Sequence, residues 1–334
     1  MLLHFRFASI LVGLVSLATL AGCASAPARS DRQKNEDLYE GQPSAIFGTE
    51  FPAGSAAEAA ARGDLAIRQG ELDRALYFYV EAVHLDPADT LSFLKIGAIH
   101  RKRQSHPLAL EAYRRVLALE ADSVIALEGA GLSLLELRRL EPAREMLSRA
   151  VDLDHTRWRS HEGLGVISDL DHGPGWYQTS RTHYERALAV HESSTVYNNL
   201  GYSSYMAGYY VAARDAFDRA VELDPKFDRA WRNLALVLVK TERYDAALAA
   251  LQRVADTAEA YHDIGYLAML EGRYTLAEEY LIRAAEASPQ YYRMAYENLD
   301  RVEKLRNSVT VVRSTDPSSS TADWRDGAVP GHGD

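Results

Sequence analysis

Cysteine is almost absent from this chain of 334 residues: Cys23 is the only one. A single thiol builds neither an intrachain disulfide framework nor a thiolate metal cluster. Beyond the first two dozen residues there is no long apolar run, so nothing later in the chain reads as a membrane span. A basic excess is missing as well. Lys and Arg number 37 against 47 Asp and Glu, a formal net charge of −10. Nucleic-acid binding needs a basic footprint, so no nucleic acid is expected as a partner. No Gly-x-Ser-x-Gly elbow and no phosphate-loop lysine motif occurs. Gly129-Ala130-Gly131 and Gly163-Leu164-Gly165 lie inside helical patterns, where close packing accounts for glycine. Proline is scarce in the middle of the chain, where Ala, Leu and Arg dominate, a composition that favours helices.

What is present begins with a leader. Residues 1–22 place one base, Arg6, before an apolar core from Phe7 to Leu20 and then small residues, the pattern of a secretory signal peptide. Leu20-Ala21-Gly22-Cys23 resembles the lipobox of bacterial lipoproteins, which implies acylation of the Cys23 thiol and cleavage before it. Several acyl chains hold a protein far more tightly than the marginal binding of one. The alternative is a non-lipidated signal with an incidental cysteine. Ala24 follows the cysteine, whereas Asp there often marks inner-membrane retention, so an outer-membrane anchor facing the periplasm is expected. Residues 23–55 mix Ser, Pro, Gly and charges without helical periodicity and read as a flexible tether.

From Ala56 onward the chain repeats itself on a frame of about 34 residues. The frame asks for an apolar residue at position 7, a small one at 8, Ala at 20, a large residue at 24, Ala at 27 and Pro at 32. The repeat from Ser194 supplies Leu200, Gly201, Ala213, Phe217, Ala220 and Pro225. The first supplies Gly63, Ala75, Tyr79, Ala82 and Pro87, the second Gly97, Ala109 and Tyr113, the third Gly131, Ala143 and Leu147. The sixth has Leu234, Ala235 and Ala247, and the seventh Gly265, Ala277, Leu281, Ala284 and Pro289. The fourth is irregular, with roughly three extra residues around Gly173-Pro174-Gly175 that predict a longer, exposed turn. The sixth is short by about four residues near Ala255–Thr257 and lacks the terminal proline.

This frame resembles the tetratricopeptide repeat (TPR), which implies an all-α solenoid of helical hairpins wound as a right-handed superhelix. About seven repeats are expected over residues 56–290, with a capping helix over 291–306 and a disordered tail over 307–334. In that fold first-helix positions 2, 5, 6, 9, 12 and 13 line the inner face. Repeats one and three are mostly small or apolar there (Ala57, Ala60, Ala61, Ile125, Leu132), and the second offers Lys95, Arg101 and Lys102. Repeats five to seven present Asn198, Asn199, Tyr202, Tyr205, Arg229, Arg232, Asn233, His262, Asp263 and Tyr266. Amides and guanidinium groups bind peptide backbone and carboxylates, and tyrosines add contact area at low entropy cost. These ten are the candidate partner-binding residues; the alternative is ordinary helix surface with tyrosines packed between repeats.

Five histidines, His155, His161, His172, His183 and His191, invite comparison with a metal-dependent hydrolase. No pair among them has zinc-ligand spacing, and neither His161-Glu162 nor His191-Glu192 is followed by the second histidine of a zinc-protease motif. No metal, cofactor or catalytic residue is expected. Within residues 259–299, Gly265-Tyr266, Ala268-Met269-Leu270, Gly272, Tyr274, Ala277, Ser288-Pro289, Tyr291-Tyr292, Ala295 and Asn298-Leu299 resemble the TPR lipoproteins of Tad (tight-adherence, Flp) pilus assembly systems, TadD-like. That resemblance implies an outer-membrane adaptor that helps assemble or localise pilus components such as a secretin. The rival within the same class is an adaptor for cell-wall hydrolases or another envelope complex.

Overall fold

The structure, a computed structural model, describes residues 37–39, 53–288, 290 and 292–315, with side chains described as far as Ser308. The leader, Cys23, Pro289, Tyr291 and residues 316–334 lie outside the described residues. Among the described residues there are fifteen α-helices and no strand. Seven hairpins follow one another: α1 (Ala56–Gln69) with α2 (Leu72–Leu85), α3 (Thr90–Lys102) with α4 (His106–Leu119), α5 (Val124–Glu136) with α6 (Leu140–Leu153), α7 (Trp158–Asp171) with α8 (Trp176–Val190), α9 (Ser194–Met206) with α10 (Tyr210–Leu223), α11 (Asp228–Lys240) with α12 (Tyr244–Leu251), and α13 (Thr257–Leu270) with α14 (Tyr274–Ala287). A last helix, α15 (Arg293–Thr315), closes the stack. The expected hairpin solenoid is the fold observed.

The hairpins close because the frame puts nothing between their helices. At position 8 a Cβ would collide with the large side chain at position 24 of the same repeat. On Gly201 it would stand 2.7 Å from the Phe217 ring, and on Gly63 it would stand 2.6 Å from the Tyr79 ring. Each of these rings is fully buried. The same contact occurs between repeats, where Gly129 of α5 sits under Tyr113 of α4. The turn inside every hairpin needs one left-handed residue, and Gly70, Gly208 and Gly272 supply it at no steric cost. Gln104, Arg138, His172 and Glu242 occupy the same turn position with φ between 49° and 62°. Where a hairpin ends, an aspartate accepts from the backbone two residues on: Asp86 from Ala88, Asp154 from Thr156, and Asp224 from Lys226.

Irregularities fall where the spacing predicts them. The longer turn of repeat four carries left-handed residues at both His172 and Gly175. In repeat six the second helix is only 8 residues long. Two boundaries differ from expectation. The segment assigned as a free tether touches the body: Leu38 is fully buried in the core of the first repeats, and its carbonyl accepts a 2.8 Å hydrogen bond from His100 Nε2. Tyr39 packs edge-on against Tyr77. An apolar Leu38-Tyr39 pair in a charged stretch gains more by burial than by solvation. The capping helix runs on to Thr315, past Arg306, because no glycine or proline interrupts it before Pro317.

The close approach at positions 8 and 24 predicts a change of sign. Gly201→Ala gains about 1 kcal/mol of helix propensity yet inserts a methyl group into the Phe217 ring, and overpacking costs about 1–3 kcal/mol. In the native background it lowers the denaturation midpoint; in a Phe217→Ala background, with the ring gone, it raises it. Equal effects in both backgrounds, measured by urea unfolding, would show that the two positions do not touch.

Candidate functional site

The first helices α3, α5, α7, α9 and α11 turn one face toward a shared cavity of about 510 Å³. Leu132, Val166 and Leu170 give it an apolar floor, and Arg101, Arg138, Arg159 and Arg229 stand around it. Glu136, Glu162 and Asn199 are the remaining long polar residues of the lining. Glu162 accepts from Asn199 Nδ2 at 3.3 Å. Burial raises its carboxyl above the ordinary range, and Arg159 nearby pulls the other way. Arg159 lies over the Trp158 ring, 4.3 Å from its centroid.

The structure divides the ten residues read from repeats five to seven. Asn199 and Arg229 line the cavity. Tyr202 and Tyr266 are exposed, while Tyr205 is half-buried and tilted against Tyr210. The other five hold the repeats to one another. Asn233 Nδ2 donates to Asn198 Oδ1 at 2.8 Å, and Asn198 is buried. Arg232 forms ion pairs with Glu259 at 2.8 Å and Asp263 at 2.7 Å on α13. His262 accepts from Asn298 Nδ2 of the capping helix at 3.0 Å and turns Nδ1 toward Asp263 Oδ1 at 3.4 Å. Helix position alone selected these residues. It does not say that the neighbouring repeat already engages them.

Arg138, Arg159 and Glu162 were not singled out from the sequence, yet the signal was available for two of them. Positions 2 and 5 of repeat four are Arg159 and Glu162, the same inner-face positions that select Arg229 in repeat six. Arg138 sits at the left-handed turn after α5, where frame positions for the first helix no longer apply.

The repeat-four histidines also meet, though not as a metal site. His161 and His183 face each other across the α7–α8 hairpin with Nδ1 atoms 3.2 Å apart. The described residues contain no group of three or more His, Cys, Asp or Glu placed to hold a metal ion. Burial lowers the His183 imidazole to about 4, helped by His161, Arg186 and Arg144, and burial with Arg186 lowers His161 as well. Both rings are therefore neutral at pH 7, one donating to the other. Further along, α7 carries a half-buried carboxylate, Asp169, which accepts from Tyr184 Oη and Ser203 Oγ, each at 2.8 Å. Burial still raises the Asp169 carboxyl above its usual range.

Family profiles described as tetratricopeptide repeat match residues 94–156, 175–228, 205–267 and 258–291, together more than half the chain. Among curated proteins the chain is similar to the BBSome complex member BBS4 of Bos taurus, 28% identical over 178 residues, covering 53% of this chain and 34% of that protein. The BBS4 homologue of Drosophila melanogaster is 23% identical over 179 residues, covering 52% and 36%. The chain thus spans about a third of the length of these relatives. Among solved structures, a tetratricopeptide repeat protein from Parabacteroides merdae aligns with a TM-score of 0.53 at 17% identity, covering 75% of this chain and 100% of that one.

The histidine pair makes stability depend on pH in a stated direction. Groups whose folded values are depressed leave the native state holding fewer protons, so their stabilisation is lost as pH falls from about 6.5 toward 4. The raised carboxyls of Asp169 and Glu162 act in the opposite sense. Thermal melts of the native chain and His183→Gln across this range separate the two: the native melting temperature falls more steeply on acidification. Parallel curves would mean that the pair does not titrate with folding.

Proposed function

The chain belongs to the tetratricopeptide repeat family, and on that premise we propose that it is a lipid-anchored adaptor of the cell envelope. The repeats make it a scaffold for protein–protein contacts, in a fold that generally carries no catalysis. The observation behind the adaptor role is that hairpins occupy the described body from Ala56 to Ala287 and leave a shared groove on their first helices. Polar and aromatic side chains on that face, Asn199, Tyr202, Arg229 and Tyr266 among them, are candidates to hold an incoming segment.

Acylation of Cys23, after Leu20-Ala21-Gly22, supplies the anchor in this proposal, and Ala24 favours the outer membrane with the repeats facing the periplasm. Docking of Leu38 on the first repeats shortens the tether to the fifteen residues from Cys23 to Asp37. At about 3.3–3.6 Å per residue the first hairpin then stays within about 50 Å of the lipid. The resemblance of Gly265–Leu299 to TadD-like lipoproteins supports a narrower role, in which the captured partner is a secretin or another component of Tad pilus assembly.

Fractionation of cells tests the anchor: the native chain sediments with outer membrane, and Cys23→Ala shifts most of it to the soluble periplasm with unchanged helical circular dichroism. A variant that sediments like the native chain refutes lipid anchoring. For the pilus role, cross-linked cells yield a secretin or a second pilus component with the native chain; recovery of cell-wall hydrolases alone transfers the adaptor to another complex.

A further inference from the structure

Most arginines along the array already have a carboxylate. Arg103 pairs with Asp73, Arg157 with Glu128, Arg219 with Glu192, Arg232 with Asp263 and Arg273 with Glu242, each reaching between neighbouring repeats. These pairs tie the stack together. Among the arginines without an ion pair in the described residues, Arg101, Arg138, Arg159 and Arg229 gather along one groove on the first helices, whereas others, such as Arg243 and Arg253, stand elsewhere. Arg101 reaches the Tyr113 hydroxyl, and Arg159 rests on Trp158.

Unpaired guanidinium groups gathered over an apolar floor are an incomplete set of interactions. Each presents a planar fork that matches a carboxylate, and Leu132, Val166 and Leu170 below offer a seat for one bulky apolar side chain. Glu136 and Glu162 are the acidic groups of the lining, so four positive charges face two negative ones in a protein whose net charge is −10. An acidic ligand is therefore drawn to this groove and repelled by the rest of the surface. Polyphosphate polymers suit it less, because the acidic surroundings oppose a long run of negative charge.

Resting on the adaptor role above, the geometry points to an acidic, extended segment of a partner protein as the occupant, with a large apolar residue set between its carboxylates. The segment lies across repeats two to six, and of the ten candidate residues read from repeats five to seven its site includes Asn199 and Arg229. Glu162 acts as a gate on affinity: it opposes the ligand when ionised, and its raised carboxyl makes it easier to neutralise than an exposed glutamate.

Fluorescence anisotropy on the full lipidated chain in detergent tests this. The probes are an eight-residue labelled peptide of glutamates with one phenylalanine and one leucine, its counterpart with lysine in place of glutamate, and an oligothymidylate of similar length. Binding of the acidic peptide, weakened at least roughly tenfold by Arg138→Glu with Arg229→Glu and strengthened by Glu162→Gln, is the expected result. Both arginines are exposed, so the double variant keeps its helical content and melting temperature. The inference is overturned if the acidic peptide fails to bind, if the lysine peptide or the oligothymidylate binds as well, or if the double variant binds unchanged. A partner cross-linked in cells that holds the double variant as tightly as the native chain would also end it, while leaving the adaptor role in place.

Discussion

Everything in this molecule depends on how closely two helices approach within a hairpin and between hairpins. A missing Cβ at position 8 admits a ring or leucine from position 24, as with Gly201 under Phe217 and Gly165 under Tyr184. Helices of 13–15 residues are marginal on their own in water, so the contact, and not helix propensity, holds most of them in place. No hairpin buries its apolar surface alone, and the stack supplies what each lacks. Leu38 serves at one end and α15, with Val302 buried against α13 and α14, at the other.

The core that results is not uniform. One apolar cluster runs from Leu38 to Ile167 and another from Ala213 to Tyr280. Between them, repeats four and five meet through Tyr184, Ala187 and Val196 and through hydroxyls: Ser180, Ser203, Tyr184 and the half-buried Asp169 bond one another. A buried polar network holds only when its members are satisfied, so this junction is specified by geometry where the others rely on shape. The paired histidines of the α7–α8 hairpin add a dependence on protonation at the same place.

Much of this was legible in residue spacing, because periodicity reports which face of a helix is buried. The hairpins, the long turn at Gly173-Pro174-Gly175 and the shortened repeat six all follow from it. Spacing does not report partners. Arg232 and Asp263 occupy groove positions, but each is the other's counter-charge one repeat away, and Asn198 is closed off by Asn233. Nor does it find a docking strap: Leu38 lies in a charged, aperiodic stretch, and only His100 and the first hairpins show where it goes. Four turns also place non-glycine residues in the left-handed region, and Arg138 enters the groove through one of them.

In the adaptor proposed above, the partner lies along the first helices. A photoreactive residue at Leu170, on the groove floor, compared with one at Val211, exposed on the second helix α10, tests this most directly in living cells. Covalent capture of a partner protein from position 170 and none from position 211 is the result this account predicts. Capture from position 211 alone would contradict it.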